Sequence, residues 1–457
     1  MYPRKRIDIG WSDLGAGLFA SKTGHDEQSH RELVYKIEHL WQGPHYKSAS
    51  LHGETPWVCT LSVRTGFDLA LQALALPRGS EILVSAITIP HMLDIIEFHG
   101  LVAVPVDLDM AALSVDASAF ESRITPKTKA ILVAHLFGSR MCLDAIAEVA
   151  KKHDLLLFED AAQAFIADDY VGHEQADFSM FSFGSIKSFT ALGGAMISVA
   201  NREVRNAIRD LMSSYDIQNE GEYFKKILKH VPLRYVGGSP RRYSVLAVMA
   251  STFGEGHDHL VMSLTRGFPG SELIPRIRFR PCYALLTVLR RRLEQAHESH
   301  LFIRRKLGQA LSDRLRDHVE IPGVSASHRT WWLFAVVVPS PDTLRVILQD
   351  AGFDAALGST SITWVHPPEG SDDIPVNARR VMSSILYLPI DPAMDDRALD
   401  RMSSLIIDYL KTTQGGSHHA HLAAGQHDST SRLSHGDSKL SGSVGSDEEA
   451  DQDARCA

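Results

Sequence analysis

Short apolar runs alternate with amphipathic stretches along most of the chain, and two of these runs end abruptly in polar residues. Residues 155–158 are apolar and stop at Glu159 and Asp160, and residues 178–183 are followed four positions later by Lys187. A buried parallel strand has this pattern, because both of its faces are covered and its carboxyl end meets a site. We therefore predict two strands whose ends offer one carboxylate and one lysine.

The same alternation continues elsewhere in the chain. Residues 57–63, 81–85 and 129–138 are predicted strands, with helical patterns between them. Strand, helix and strand in succession predict a mainly parallel sheet with right-handed crossovers. The first strand is followed by Arg64 and Thr65 and then by an apolar helix, an order typical of an anion site at a helix N-terminus. Thr65 fits a simple helix cap equally well.

Length and composition predict more than one folded unit. The chain has 457 residues, of which 44% are hydrophobic, and it exceeds the usual size of one domain. We predict a large α/β domain over residues 1–300, with an insert at about 210–275, and a smaller α+β domain over 301–413. The basic residues of the insert fit either a lid or partner surface or a solvated helical face. Residues 414–457 lack the apolar content to fold, so we predict a disordered tail.

Charge and cysteine spacing exclude several classes of protein. The net charge of −8 argues against a nucleic-acid binder, which would carry a basic excess. We find no signal-peptide core and no apolar span of 18 residues, so no membrane insertion is expected. The four cysteines are widely scattered without CxxC or metal-like spacing, which is typical of reduced thiols in a cytoplasmic protein without a metal site.

The pairing of Lys187 with Asp160 suits pyridoxal phosphate (PLP) chemistry. A lysine in an apolar setting loses the solvation of its ammonium form, so its pKa falls and a free amine can attack an aldehyde. A carboxylate beside the pyridine nitrogen keeps the ring protonated and electron-withdrawing. Taken singly, each residue has another interpretation, since Asp160 also fits a helix cap and Lys187 a surface lysine.

The order of the motifs resembles the DegT/DnrJ/EryC1/StrS aminotransferase family. An acidic EDAAQ motif, which contains Asp160 and Gln163, is followed by Ser182 with a phenylalanine, by Lys187, and by a glycine pair. The resemblance implies a fold type I PLP-dependent transferase in which Lys187 forms the Schiff base with the cofactor. It also implies that Asp160 pairs with the ring nitrogen, that Gln163 lies against the ring and its hydroxyl, and that Ser182 binds phosphate. Leu192 departs from the family, which usually has an acidic residue before the glycine pair.

The resemblance extends to the phosphate turn and the stacking position. In the family, cofactor phosphate binds where Arg64 and Thr65 lie in this chain, although the family's turn is usually rich in Gly, Ser and Thr. An aromatic ring usually stacks on the pyridine in the segment after residues 81–85. Here His91 lies in that neighbourhood, so it is the candidate stacking residue.

A further departure bears on assembly. The family places an asparagine from the neighbouring subunit on the cofactor phosphate, in a segment that here contains Arg276, Arg278 and Arg280 but no asparagine. A guanidinium binds phosphate well, so one of these arginines is a candidate replacement in a homodimer. The alternative is that these arginines only form interface salt bridges.

The resemblance implies an aminotransferase that moves an amino group from an amino acid donor to a keto sugar nucleotide or related keto metabolite, both small molecules. A related dehydratase branch has histidine in place of the lysine, and Lys187 argues against that branch. A non-catalytic regulatory or scaffold protein on the same fold would explain the atypical phosphate turn. It would not require both Asp160 and Lys187.

Overall fold

A seven-stranded sheet lies at the centre of the structure, a computed structural model that describes residues 1–41, 55–164, 170–252, 272–295, 299–358 and 362–424. The strands are β1 (Trp57–Thr60), β2 (Glu81–Ser85), β3 (Ile87–Thr88), β4 (Val102–Val106), β5 (Thr128–Ala134), β6 (Ser139–Arg140), β7 (Leu156–Asp160), β8 (Phe178–Ser182), β9 (Ala195–Val199), β10 (His328–Arg329), β11 (Phe334–Val337), β12 (Thr363–Trp364) and β13 (Ile385–Leu388). The central sheet has the order β1-β9-β8-β7-β5-β2-β4.

The central sheet is mainly parallel, as the alternating pattern predicted. Strands β4, β2, β5, β7 and β8 run parallel to one another, and β9 is antiparallel to both β8 and β1. Asp160 is level with Ala134 on one side and with Met180 on the other. The carboxyl ends of β5, β7 and β8 therefore meet at one edge, where polar side chains gather.

Helices cover both faces of the sheet because its strands alternate apolar side chains between the faces. In β8 and the residue after it, Phe178 and Met180 belong to one buried cluster, whereas Phe181 and Phe183 belong to the other. The helices are α1 (Trp11–Ala20), α2 (Glu27–Leu40), α3 (Val63–Leu74), α4 (Pro90–Phe98), α5 (Ala117–Glu121), α6 (Asp144–Lys152), α7 (Arg202–Ser213), α8 (Glu220–Gly237), α9 (Pro240–Thr252), α10 (Leu273–Ile277), α11 (Tyr283–Glu294), α12 (Ser299–Leu315), α13 (Pro341–Asp350), α14 (Val376–Ser384) and α15 (Asp396–Ala424).

A second, smaller sheet lies in the carboxyl-terminal third of the chain. Strands β11 and β13 pair antiparallel, and Phe334 and Leu386 from these strands lie in a buried cluster with residues of α12, α13 and α15. Helix α15 continues to Ala424, past the predicted start of the tail, and residues 425–457 lie outside the described residues. The domain boundaries stay a prediction.

Helix α3 begins earlier than the sequence suggested, and the predicted strand over 57–63 ends at Thr60. Ser62 has an extended backbone and its hydroxyl accepts a hydrogen bond from the Thr65 N–H, so Ser62 is the N-cap. A serine cap satisfies an otherwise unpaired amide of the first turn. Arg64 and Thr65 consequently lie in the first turn of α3 rather than in a loop before it.

Two absences concern the described residues alone. In the part of the chain that the structure describes, no helix is long and apolar enough to cross a membrane. Within those same residues, no group of three or more His, Cys, Asp or Glu side chains is arranged to hold a metal ion.

Candidate active site

Asp160 is the last residue of β7 and faces the edge where three parallel strands end. Its side chain is buried, and its Oδ1 accepts a hydrogen bond of 2.9 Å from the Ala162 N–H. Burial raises the pKa of this carboxyl, and the charges of Lys187, His135 and Arg64 act in the opposite direction. A buried carboxylate of this kind gains from a cationic partner, because its own solvation has been lost.

Lys187 lies in the loop that follows β8. The backbone N–H of Lys187 donates to the carbonyl of Gly184 at 3.0 Å, and its Nζ lies 4.6 Å from the centroid of the Trp332 ring. Burial lowers the pKa of Lys187 to about 8, while Asp160 raises it and Arg64 lowers it. The structure thus brings together the lysine and the carboxylate that the sequence selected, and gives the lysine the lowered pKa expected of a nucleophilic amine.

Arg64 places a second half-buried cation in this group. Its Nε donates to Nδ1 of His91 at 2.9 Å, so His91 has Nδ1 free of a proton and carries its ring proton on Nε2. Burial and the neighbouring charge of Arg64 lower the pKa of His91 to about 4. His91 is therefore neutral at physiological pH, and its stacking role stays a prediction.

Thr65 is engaged by its own chain. Its N–H donates to the Ser62 hydroxyl at 3.2 Å, and its hydroxyl donates to the carbonyl of Ile277 at 2.8 Å. A hydroxyl has one proton to donate, so the Thr65 hydroxyl is not a ready donor to a phosphate. Thr65 is not the helix cap that its sequence position also fits, because Ser62 is the N-cap.

Gln163 and Ser182 lie at the ends of β7 and β8. The Gln163 Oε1 accepts a hydrogen bond from the Phe137 N–H at 3.0 Å, where Phe137 has a left-handed φ of 56°. The Ser182 hydroxyl accepts from the Gly184 N–H at 3.4 Å. Both side chains remain half-buried, and their assignment to ring and phosphate stays a prediction.

Glu159, the residue before Asp160 in β7, is fixed by buried hydrogen bonds. Its carboxylate is fully buried and accepts from His135 Nε2 at 2.9 Å, from the Ser179 hydroxyl at 2.6 Å and from the Tyr170 hydroxyl. Burial alone would raise its pKa, but these hydrogen bonds and the charge of His135 outweigh burial and lower the pKa to about 2. Glu159 therefore stays ionised and fixes the end of β7 next to Asp160.

Three residues near this edge were not predicted from the sequence. They are Lys5, Lys226 and Trp332, which lie on the amino-terminal segment, helix α8 and the loop before β11. Burial lowers the pKa of Lys226 to about 8, with smaller contributions from neighbours that include Arg64. No local pattern in the sequence marks these residues, since each belongs to a segment distant from β7 and β8.

Two of the three candidate phosphate arginines bind carboxylates of their own chain. Arg278 forms a two-point contact with Asp68 at 2.9 and 3.0 Å, and Arg280 contacts Glu27 at 2.6 Å. These contacts are salt bridges, as in the alternative interpretation, but they form within one chain and not between subunits. A role for Arg276, Arg278 or Arg280 at a neighbouring subunit stays a prediction.

Comparison with known proteins identifies relatives over the same region. Residues 46–239 match the model of the DegT/DnrJ/EryC1/StrS aminotransferase family. Over 148 residues, or 32% of this chain, the sequence is 35% identical to the GDP-perosamine synthase of Caulobacter vibrioides. That match spans 40% of the length of this relative.

Solved structures resemble the chain over most of its length. The aminotransferase TlmJ from Streptoalloteichus hindustanus has a TM-score of 0.62 at 17% identity and covers 91% of this chain and 100% of its own. The GDP-4-keto-6-deoxy-D-mannose-3-dehydratase of E. coli, with bound hydrated PLP, has a TM-score of 0.60 at 16% identity and covers 89% of this chain and 99% of its own. These similarities confirm the fold type I architecture predicted from the sequence.

The family match and the site geometry coincide. The matched residues include β7 with Asp160, β8 with Ser182, and Lys187 in the loop that follows. Arg64 and His91 also lie inside the matched region. Residues 46–239, which contain Asp160 and Lys187, are therefore similar to the DegT/DnrJ/EryC1/StrS aminotransferase family.

Proposed function

We propose that the protein is a PLP-dependent aminotransferase that moves an amino group from an amino acid donor to a keto sugar nucleotide or related keto metabolite. The observation that carries the proposal is the pair formed by Lys187 and Asp160. Asp160 is buried and Lys187 is half-buried, their charges interact, and the pKa of the lysine is lowered to about 8. Such perturbed groups at the ends of adjacent parallel strands are typical of a catalytic site.

The donor set fits each functional group of PLP. Lys187 would bond the aldehyde carbon, and Asp160 would pair with the protonated pyridine nitrogen. The phosphate would lie near Arg64 and the amino end of α3, where an arginine and a helix N-terminus both favour an anion. Gln163, Ser182 and His91 complete the proposed site, while the Thr65 hydroxyl donates to Ile277 and would leave phosphate binding to its neighbours.

The chain's own residues then have distinct tasks. Bound PLP supplies an electron-withdrawing ring that stabilises negative charge at the donor α-carbon. Lys187, once free of the cofactor, accepts the α-proton at Nζ and returns it to the product, a role suited to an amine with a pKa of about 8. Asp160 holds its position through the Ala162 N–H and keeps the ring nitrogen protonated.

The acceptor and the assembly are parts of the same proposal. Similarity to a GDP-perosamine synthase over 148 residues supports a sugar nucleotide as the acceptor. We propose a homodimer in which the segment containing Arg276 faces the neighbouring site, and light scattering should give twice the mass of one chain. A monomeric mass at an active concentration would refute this assembly.

The test has a covalent readout and a kinetic readout. After loading with PLP, borohydride reduction and peptide mapping should place the label on Lys187 in the wild type and on no lysine in Lys187→Ala. Lys22→Ala is the control, because Lys22 is an exposed lysine that lies over the ring of Phe224, far in sequence from Lys187. A label on another lysine, or no label, would refute the assignment.

The kinetic readout separates the alternatives. The change in absorbance of the bound cofactor on adding L-glutamate or another amino acid reports donor turnover in a single cycle. Asp160→Asn should bind PLP but react slower by roughly two to three powers of ten, the usual effect of losing one preorganised electrostatic contact. Equal rates in the wild type and in Asp160→Asn would show that Asp160 acts only as a helix cap. A wild type that binds PLP but responds to no donor would favour the dehydratase or scaffold alternatives.

A further inference from the structure

The amino-terminal segment is fixed by two ion pairs on either side of Lys5. The guanidinium of Arg4 contacts Asp354 with its Nε at 2.9 Å and a terminal nitrogen at 2.5 Å. Arg6 contacts Asp391 in the same two-point manner at 2.5 and 2.6 Å. Both carboxylates are buried, and two-point pairs of this kind define orientation as well as position. Lys5 is therefore held between two anchored neighbours.

Lys5 itself turns toward the proposed active site. Its Nζ lies 4.2 Å from the centroid of the Trp332 ring, the same ring that lies 4.6 Å from Nζ of Lys187. The ring is held in turn, because Nε and a terminal nitrogen of Arg304 donate to the carbonyls of Trp331 and Trp332 at 2.6 and 2.9 Å. One indole thus lies beside two lysine ammonium groups.

The ammonium of Lys5 has no hydrogen-bond partner among the described residues, although its nitrogen is buried. Burial lowers the pKa of Lys5, and the positive charges of Lys187, Arg304 and Arg4 lower it further. These neighbours therefore do not replace the missing hydrogen-bond partner. The charged form of an unpaired buried amine is unfavourable, and its N–H donors are unsatisfied. A bound anion would supply both the charge and the acceptors.

We propose that Lys5 binds the α-carboxylate of the amino acid donor. This inference rests on the proposed function, in which the donor nitrogen takes the place of the Lys187 amine. In an amino acid the carboxylate carbon lies about 2.5 Å from that nitrogen. Because Nζ of Lys5 and Nζ of Lys187 lie 4.2 and 4.6 Å from the same indole centroid, Lys5 is a neighbouring cation for a carboxylate so placed. The diphosphate of a sugar nucleotide is separated from its keto carbon by part of a sugar ring, so the donor is the better match.

The test uses the PLP-loaded full chain and a pair of probes that differ only in the α-carboxylate. L-Glutamate and 4-aminobutanoate are such a pair, and the cofactor absorbance reports the binding of each. Lys5→Met should weaken glutamate roughly 10- to 100-fold, the effect of losing a hydrogen bond to a charged group. It should leave 4-aminobutanoate unchanged. Lys5→Arg should retain part of the glutamate affinity.

The matched control is Lys22→Met, which removes a lysine that also lies 4.2 Å from an aromatic centroid but is exposed. It should change neither probe. If Lys5 were only structural, Lys5→Met would lower the melting temperature and weaken both probes equally. The proposal instead expects a melting temperature that is equal or higher, because an unpaired buried charge is removed.

The remaining outcomes separate the two proposals. GDP serves as a diphosphate probe, and weaker GDP binding with unchanged glutamate binding in Lys5→Met would assign Lys5 to the acceptor and overturn the donor assignment. If the wild type does not respond to glutamate, the other common L-amino acids replace it, each compared with the amine that lacks its α-carboxylate. A wild type that responds to none of them would overturn the proposed function and this inference together. Equal donor affinity in wild type and Lys5→Met would overturn the inference alone.

Discussion

The lowered pKa of Lys187 can be measured without any cofactor. Its value of about 8, against an ordinary value of 10.5, implies roughly 300-fold more free amine at pH 7 than an exposed lysine would carry. Burial is the main cause, while Asp160 and Arg64 act in opposite directions. Only the free amine reacts with acylating reagents, so reactivity as a function of pH gives the pKa directly.

Two substitutions should move this pKa in opposite directions. Asp160→Asn removes the anion that favours the charged form of Lys187, so the pKa should fall. Arg64→Met removes a cation that disfavours the charged form, so the pKa should rise. The expected size is roughly one unit in each direction, at the lower end for neighbouring charges.

Trace labelling with acetic anhydride, resolved by mass spectrometry of the peptide that contains Lys187, provides the assay. The control is Asp177→Asn, since Asp177 precedes β8 at the end opposite Lys187 and its carboxylate accepts from the Leu157 N–H at 2.8 Å. This control should leave the pKa of Lys187 unchanged. A wild-type pKa near 10.5, or a shift of the same sign in Asp160→Asn and Arg64→Met, would refute the electrostatic reasoning.

Two further predictions concern the frame of the site. The pKa of Glu159 in the folded state is about 2, below the ordinary 4.5, so its contribution to stability is complete above about pH 4.5 and is lost as the pH falls toward 2. Glu159→Gln should lower the free energy of unfolding by about 3 kcal/mol at pH 7, because it breaks the buried contact with His135. The variant should also lose less stability than the wild type between pH 7 and pH 3, which urea unfolding at both pH values measures. An unchanged slope would contradict the assignment. Gly138→Ala should unfold at a lower urea concentration than Gly79→Ala. Both glycines have φ between 80° and 88°, but only at Gly138 would a Cβ lie 2.7 Å from the Trp332 backbone nitrogen. Equal losses of stability would show that the structure relaxes around the new methyl group.

The strand pattern was sufficient to predict that Asp160 and Lys187 follow neighbouring strand ends. Apolar runs that ended in Asp160 and preceded Lys187 predicted two neighbouring strand ends, and β7 and β8 are adjacent and parallel. This worked because period and burial in a parallel sheet are local properties of the sequence. The predicted start of α3 was wrong by a few residues. The Ser62 hydroxyl accepts from the Thr65 N–H and caps the helix, so the helix begins earlier in the chain.

The rest of the site depends on contacts between distant segments, which no local pattern contains. Lys5 and Trp332 are more than 300 positions apart, yet they lie in contact because Arg4 and Arg6 fix one segment and Arg304 fixes the other. The sequence did mark Leu192 as a departure from the family, and the structure explains that departure in part. Leu192 is fully buried in an apolar cluster, where a carboxylate would be costly.

The charge of the site is opposite to that of the chain. The chain carries a net charge of −8, yet the titratable groups that lie near Asp160 include the cationic side chains of Lys187 and Arg64, with Lys226 beside Arg64. Asp160 alone does not balance these cations, since the Glu159 carboxylate is engaged by His135, Ser179 and Tyr170. The site therefore favours anions, and PLP and sugar nucleotides are both anions. Because these cations are half-buried, salt screens them less than it screens fully exposed charges. Anion binding should therefore depend on how the folded chain holds these few side chains, rather than on the charge of its surface.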